Sequence, residues 1–283
     1  AVRFRLAEIY HAQGKLDEAL KGFQELLESY PDPTKPLEKI VRIYVAKGQY
    51  DKAINLCDDY LKRSPKDLKI GMIKAVVFLW QKKYGMAEKL VSELIAENPE
   101  SDQPLMLMAK IYESRQDYAS ELEMYRRAIE INPKNINAHM KMARIYNRMG
   151  DFKKAMDSYE EVLKINSFYG PAANDLAYLC AETNRDLDRA LDLAKKAREL
   201  MPKHPDVADT LGLVYLKKGA LVAAKNYFRE AIKGMPRRPL FRYHLGMAFY
   251  QEQNFPEAKR EFQEAIKLGL GKKESEEVKK LIH

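Results

Sequence analysis

Five histidines, two cysteines and 41 acidic residues are raw material for a metal site or an acid–base pair, so their spacing comes first. No two histidines stand at a metal-ligand interval, and no Gly-x-Ser-x-Gly stretch offers a nucleophile on a sharp turn. Gly269-Leu270-Gly271-Lys272 ends as a phosphate-cradling loop ends. It lacks the full glycine-to-lysine spacing, the following Ser or Thr and a preceding strand, so a helix C-cap is the better reading. The residues that could do chemistry are present but not assembled, and the expectation is a non-enzyme without metal or cofactor.

The elements that would position any such residues are legible from a repeat. The 25 residues from Met142 to Asn166 restate, 34 positions on, the grammar of Met108 to Asn132. The small residue of the second segment recurs at Ala19, Ala53, Ala87, Glu121, Ala155, Ala190, Ala224 and Ala258. A preceding column runs Ala7, Val41, Ala75, Ala109, Ala143, Ala177, Gly212 and Gly246. Every step is 34 except one of 35 in each column, which places a single extra residue in the sixth copy near Asn184-Arg185.

Each copy reads as two helices. Glycine supplies the left-handed cap after the first at Gly14, Gly48, Gly150 and Gly219, and proline closes the second at Pro31, Pro65, Pro99, Pro133, Pro202 and Pro236. Small residues let the paired helices approach. Two bulky columns, Tyr10 to Phe249 and Leu16 to Phe255, are expected to fill the gaps around them. Cys57 and Cys180 both fall in buried columns four copies apart, too far for a disulfide.

This pattern resembles the tetratricopeptide repeat family over almost the whole chain. Lys74, Glu121 and Ser167 depart from its usual large apolar residue, small residue and terminal proline. The resemblance implies an all-α fold: a right-handed superhelical solenoid of about eight helix-turn-helix repeats with a C-terminal capping helix. Residues 1–270 are expected to form one array, with the first repeat truncated at its start, and 271–283 a solvating helix carrying Val278, Leu281 and Ile282. Ala1 falls at the very start of a first helix, so a piece of a longer protein is expected. His204-Pro205-Asp206 matches the loop tripeptide of J-domain co-chaperones, but it occupies the ordinary linker between the sixth and seventh copies.

In this family the first helices line a concave face that commonly holds an extended peptide or a partner's helix. Traced through the copies, that edge brings Met72, Met106 and Met140 into a ladder beside Val76, Leu79 and the only tryptophan, Trp80. Adaptable thioethers and an indole suit apolar side chains of a partner. Onward come Lys110, Arg144, Asn147, Arg148 and Asn174, donors for a carboxylate or a peptide backbone, with Tyr178 beside them. The expected groove takes an extended segment, partly apolar and partly acidic. No three consecutive copies supply the lysine and asparagine set of the chaperone-tail clamp, so that partner is disfavoured.

The bulk numbers agree with a binding scaffold. With 283 residues, 46% hydrophobic and 32% charged, the chain suits an ordered, soluble protein. Its net charge of +8 is spread along the sequence and carries no nucleic-acid signal. The longest apolar run, Ala75 to Trp80, is too short to span a bilayer. Asn174 to Gly219 looks like runs in bacterial arrays, including envelope proteins of exopolysaccharide export, which points to a bacterial cytoplasm or periplasm. The expected function is a protein-interaction scaffold. The rivals are an accessory array of a larger export or processing machine and a groove for polyanions, and self-association is left open.

Overall fold

The computed structural model describes residues 2–282. Ala1, His283 and the side chain of Ile282 lie outside the described residues, and so do the expectations that fell on them. Seventeen α-helices and no strand are found among the described residues. The first eight are α1 (Val2–Ala12), α2 (Leu16–Gln24), α3 (Thr34–Ala46), α4 (Tyr50–Arg63), α5 (Leu68–Trp80), α6 (Tyr84–Glu97), α7 (Gln103–Arg115) and α8 (Tyr118–Ile131). Then come α9 (Ile136–Met149), α10 (Phe152–Ile165), α11 (Gly170–Glu182), α12 (Leu187–Leu200), α13 (Pro205–Lys217), α14 (Leu221–Gly234), α15 (Pro239–Gln251), α16 (Phe255–Lys267) and α17 (Lys272–Ile282). Two compact units divide the chain, Ala1–Ala138 and His139–His283.

In the first unit α1 packs on α2, α3 on α4, α5 on α6 and α7 on α8, and α3, α5 and α7 stand side by side. In the second, α11, α13 and α15 stand side by side, each backed by the helix that follows it, and α17 lies on α16. The pairs close on the small columns. Ala7, Val41, Ala75, Ala109, Ala143 and Ala177 are at most 1% exposed, and Glu121 is the least buried member of its own column at 2%. Large partners compensate small ones across each pair: Ala7 packs with Phe23, and Val41 with Cys57. Gly212 faces Phe228 and Gly246 faces Phe262, where a Cβ would stand 2.5 and 2.6 Å from the rings. Such complementary volumes are what close packing demands.

The two irregular columns are accommodated locally. The Glu121 carboxylate, buried where the other copies carry alanine, accepts a hydrogen bond from the Tyr125 hydroxyl at 3.2 Å. Lys74 reaches Asp58 at 2.6 Å, with its ammonium over the Phe78 ring. The second bulky column fills gaps less well than its sequence suggests. Phe152 is 39% and Phe255 55% exposed, because a residue in the first turn of a second helix has little packed over it.

Every first helix ends in the same turn, in which the residue after the left-handed cap donates its N–H to the carbonyl five positions back. The series runs from Lys15 to Tyr10 and Gln49 to Tyr44 through Asn254 to Phe249. This closure needs a left-handed residue before the donor. Gly14, Gly48, Gly150 and Gly219 supply it, and so, without glycine, do Lys82, Gln116, Asn184 and Gln253, at φ of 59°, 59°, 51° and 62°. The extra residue of the sixth copy sits just after this cap, where Asp186 also takes a positive φ of 41° before α12. A left-handed residue with a Cβ is strained by about 1–2 kcal/mol. Lys82→Gly, Gln116→Gly and Gln253→Gly are each expected to stabilise the fold by about 0.5–1 kcal/mol in urea unfolding, after the entropy cost of glycine is deducted. Asn184→Gly should gain less, since asparagine tolerates this region.

The C-terminal segment docks. Val278 of α17 is fully buried, and the Glu277 carboxylate accepts a hydrogen bond from the Tyr243 hydroxyl at 2.8 Å. Gly269, at φ 88°, and the Leu270 N–H to Ala265 carbonyl bond cap α16, as read from Gly269-Leu270-Gly271-Lys272.

Candidate functional site

The first unit carries a cleft of about 360 Å³ between α3, α5 and α7. Four predicted residues line it: Met72, Val76, Trp80 and Lys110. They share it because α5 presents residues 72, 76 and 80 at successive four-residue steps on one stripe. Met72 and Val76 are half-buried and Trp80 is 41% exposed, so the floor is apolar and open. Thr34, Glu38, Val41, Arg42, Lys69, Ile73 and Gln103 complete the wall. Arg42 is engaged by Glu38 at 2.7 Å and Lys69 by Asp32 at 3.7 Å. Lys110 is exposed and makes no ion pair among the described residues, which leaves an uncommitted ammonium beside an apolar floor.

Two members of the methionine ladder fall elsewhere. Met106 is half-buried and does not line the cleft, and Met140, in the second unit, is 5% exposed. Leu79 is also buried, at 7%. Leu79 and Met140 are therefore core residues and present little surface to a ligand.

The second unit holds a separate recess of about 520 Å³, lined by Arg144, Asn147, Asn174 and Tyr178 of the predicted set. Tyr159, Asp175, His204, Asp206, Asp209, Thr210 and Arg238 join them. This recess is polar and largely self-satisfied. Arg144 contacts Asp175 at 3.3 Å, and the buried Tyr159 lines the same recess. Burial works against the Arg144 charge, but Asp175 and Tyr159 outweigh it and hold the guanidinium in its charged form. Asn174 donates to Asp175 at 3.3 Å, while its own Oδ1 is buried without a partner. Arg148 is exposed and lies outside the recess. The predicted donors thus divide: Lys110 serves the apolar cleft, and Arg144 is already committed to Asp175.

Sequence reasoning missed one feature completely. His244 and Asp209 form a buried pair, with Nδ1 2.9 and 3.0 Å from the two carboxylate oxygens and both side chains no more than 4% exposed. The two stand on neighbouring first helices 35 residues apart, one position off the 34-residue register. Nothing in the spacing marks His244 as the partner of Asp209.

No cluster of three or more His, Cys, Asp or Glu able to hold a metal occurs among the described residues, and none of the described helices is long and apolar enough to cross a membrane. Cys57 and Cys180 are free and buried, and burial pushes the Cys57 thiol up to about 12, which keeps it protonated and inert.

Comparison with known proteins accounts for the fold. The profile of the Psidin N-terminal tetratricopeptide repeat region matches residues 38–169, and two general tetratricopeptide repeat profiles match 1–33 and 210–271. No curated protein sequence matches the chain. Among solved structures, a chain of the APC/C hetero-tetramer Cut9-Hcn1 aligns over 95% of this chain with a TM-score of 0.65 and 14% identity. The present chain spans about half of that one, 53%. YrrB, described as a TPR protein with an unusual peptide-binding site, aligns over 67% of this chain and 97% of its own, at a TM-score of 0.52 and 20% identity. MamA from Desulfovibrio magneticus RS-1 aligns over 59% and 94%, at 0.52 and 16%. At these identities the likeness is one of fold. With its helix pairs, its 34-residue register and these profiles, the chain is a tetratricopeptide repeat protein with an all-α helical-repeat fold.

Proposed function

We propose that this protein is a non-catalytic interaction scaffold that holds an extended segment of a partner protein, with the cleft of the first unit as its anchor. The observation that carries the reading is the open floor of Met72, Val76 and Trp80 beside the unpaired Lys110. An apolar side chain of the partner enters between methionine and indole, and a neighbouring Asp or Glu meets the ammonium. The peptide-binding site named for YrrB supports the class of ligand, not its sequence. The likeness of Asn174 to Gly219 to bacterial arrays supports an envelope or secretion setting.

The test is a pair of single substitutions read against labelled peptides that carry an apolar residue next to an acidic one. Met72→Glu is expected to abolish binding. Lys110→Glu should weaken it about ten- to a hundredfold, the value of a charge-assisted hydrogen bond of roughly 1.5–3 kcal/mol. Both variants should keep the wild-type circular dichroism spectrum. Wild-type affinity in both would remove the cleft from the account. Binding to an anionic polymer with a steep salt dependence and no preference for apolar residues would favour the polyanion reading instead.

A further inference from the structure

We propose that the second unit carries a subsite for the cationic end of a lysine or arginine side chain of a partner polypeptide, bounded by α11, α13, α15 and α17. A cavity of about 130 Å³ lies between these helices. Its walls are apolar and aromatic: Leu213 and Tyr243 are buried, and Tyr178 and Met247 are half-buried. Three carboxylates stand around them, Glu182 from α11 and Glu274 and Glu277 from α17. Tyrosine rings beside carboxylates suit an ammonium or guanidinium group.

Two observations separate this cavity from an ordinary solvated patch. The first is that its carboxylates are uncommitted. None of the three makes an ion pair among the described residues, although Lys217 and Lys273 also border the cavity; Glu277 only accepts the Tyr243 hydroxyl at 2.8 Å. Burial holds both phenols above their ordinary range, and the leading charges that add to it are carboxylates. Glu182 and Glu274 act on both rings, with Asp209 at Tyr178 and Glu277 at Tyr243. The aromatic side of the cavity is therefore negative.

The second observation is His244, which lines the same cavity with its side chain only 3% exposed. Asp209 holds Nδ1 at 2.9 Å and balances the imidazolium charge, so the ring does not repel a cation. Nε2 has no hydrogen-bond partner among the described residues, and the cavity is the open space that the ring borders. A buried polar atom of this kind calls for a partner. As imidazolium the ring donates Nε2–H, and a backbone carbonyl of the entering segment accepts it. A cation among the carboxylates and a carbonyl at the imidazole together describe a polypeptide, whereas a free polyamine brings no carbonyl.

This inference rests on the interaction-scaffold reading but not on the cleft of α3, α5 and α7, and the experiment separates the two. The probes are labelled pentapeptides with one central lysine or arginine between varied apolar residues, titrated against the whole chain by fluorescence anisotropy. Saturable binding is expected, unaffected by Met72→Glu and silent in Trp80 emission. Replacing the central residue by norleucine should weaken it at least about tenfold. Glu182→Gln with Glu274→Gln should do the same at an unchanged circular dichroism spectrum, since each carboxamide keeps the shape and loses the charge. Absence of saturable binding by every peptide overturns the proposal, and so does binding indifferent to norleucine or to the double substitution. Equal affinity for peptides with a central glutamate also overturns it. Binding that moves Trp80 and is lost on Met72→Glu does so too, because it belongs to the first-unit cleft.

Discussion

Truncating Phe228 to alanine is expected to cost the second unit about 3–5 kcal/mol, the loss for emptying a well-packed aromatic site. The ring is fully buried, and Gly212 on α13 was left without a side chain to admit it. The reciprocal change is predicted to fail for the opposite reason. A Cβ at position 212 would meet Phe228 ring carbons at 2.5 and 2.6 Å, and a buried ring cannot retreat as a flexible chain end does. Gly212→Ala should therefore cost about 1–3 kcal/mol by overpacking. Because the two residues share one space, Gly212→Ala with Phe228→Leu should cost less than the sum of the single changes. Urea unfolding followed by far-ultraviolet circular dichroism measures Phe228→Ala and the cycle of wild type, Gly212→Ala, Phe228→Leu and their combination. Strict additivity would show that the glycine column is not set by the ring opposite it.

The second large effect falls on the His244–Asp209 pair. Asp209→Ala removes the hydrogen-bond partner of a buried imidazole packed against the rings of Tyr178, Phe228 and Tyr243. The expected loss is about 3–5 kcal/mol, as for breaking a buried pair by removing one partner. The same pair gives the second unit a pH dependence. Burial by itself lowers the His244 pKa, but the Asp209 charge and hydrogen bond, with Glu182 assisting and Lys217 opposing, leave it raised above the ordinary 6.5. A raised folded-state value means the stabilisation is complete below the unfolded histidine value and disappears as pH rises through the folded one. The second unit is thus predicted to lose stability on going from mildly acid to alkaline pH. Replacing the pair by His244→Gln with Asp209→Asn should flatten that slope. A slope of opposite sign in the wild type would contradict the assignment of a protonated imidazole.

How much of this was legible in the sequence depends on what spacing can encode. The 34-residue period gave the helix pairs, the small columns and the sixth-copy insertion, because close approach of backbones permits only small residues at fixed positions. Depth is another matter. Periodicity assigns a residue to a face, whereas its neighbours decide how far it sinks. Leu79 and Met140 read as groove lining and proved buried, while Trp80, one position after Leu79, stands 41% exposed. Glycine marked four caps, but Lys82, Gln116, Asn184 and Gln253 take the same conformation unmarked, since the closing hydrogen bond imposes it on whatever residue is there. The register also runs without a break through residue 138, so the division into two units has no signature in the spacing.

The most direct test of the interaction-scaffold account is a peptide selection on the whole chain, with Trp80 emission as the reporter, since it is the only tryptophan and forms part of the cleft. The account predicts enrichment of peptides that place an apolar residue beside an acidic one, that shift the indole emission, and that are lost on Met72→Glu. Enriched peptides that leave Trp80 unmoved and bind Met72→Glu as well as wild type would contradict it.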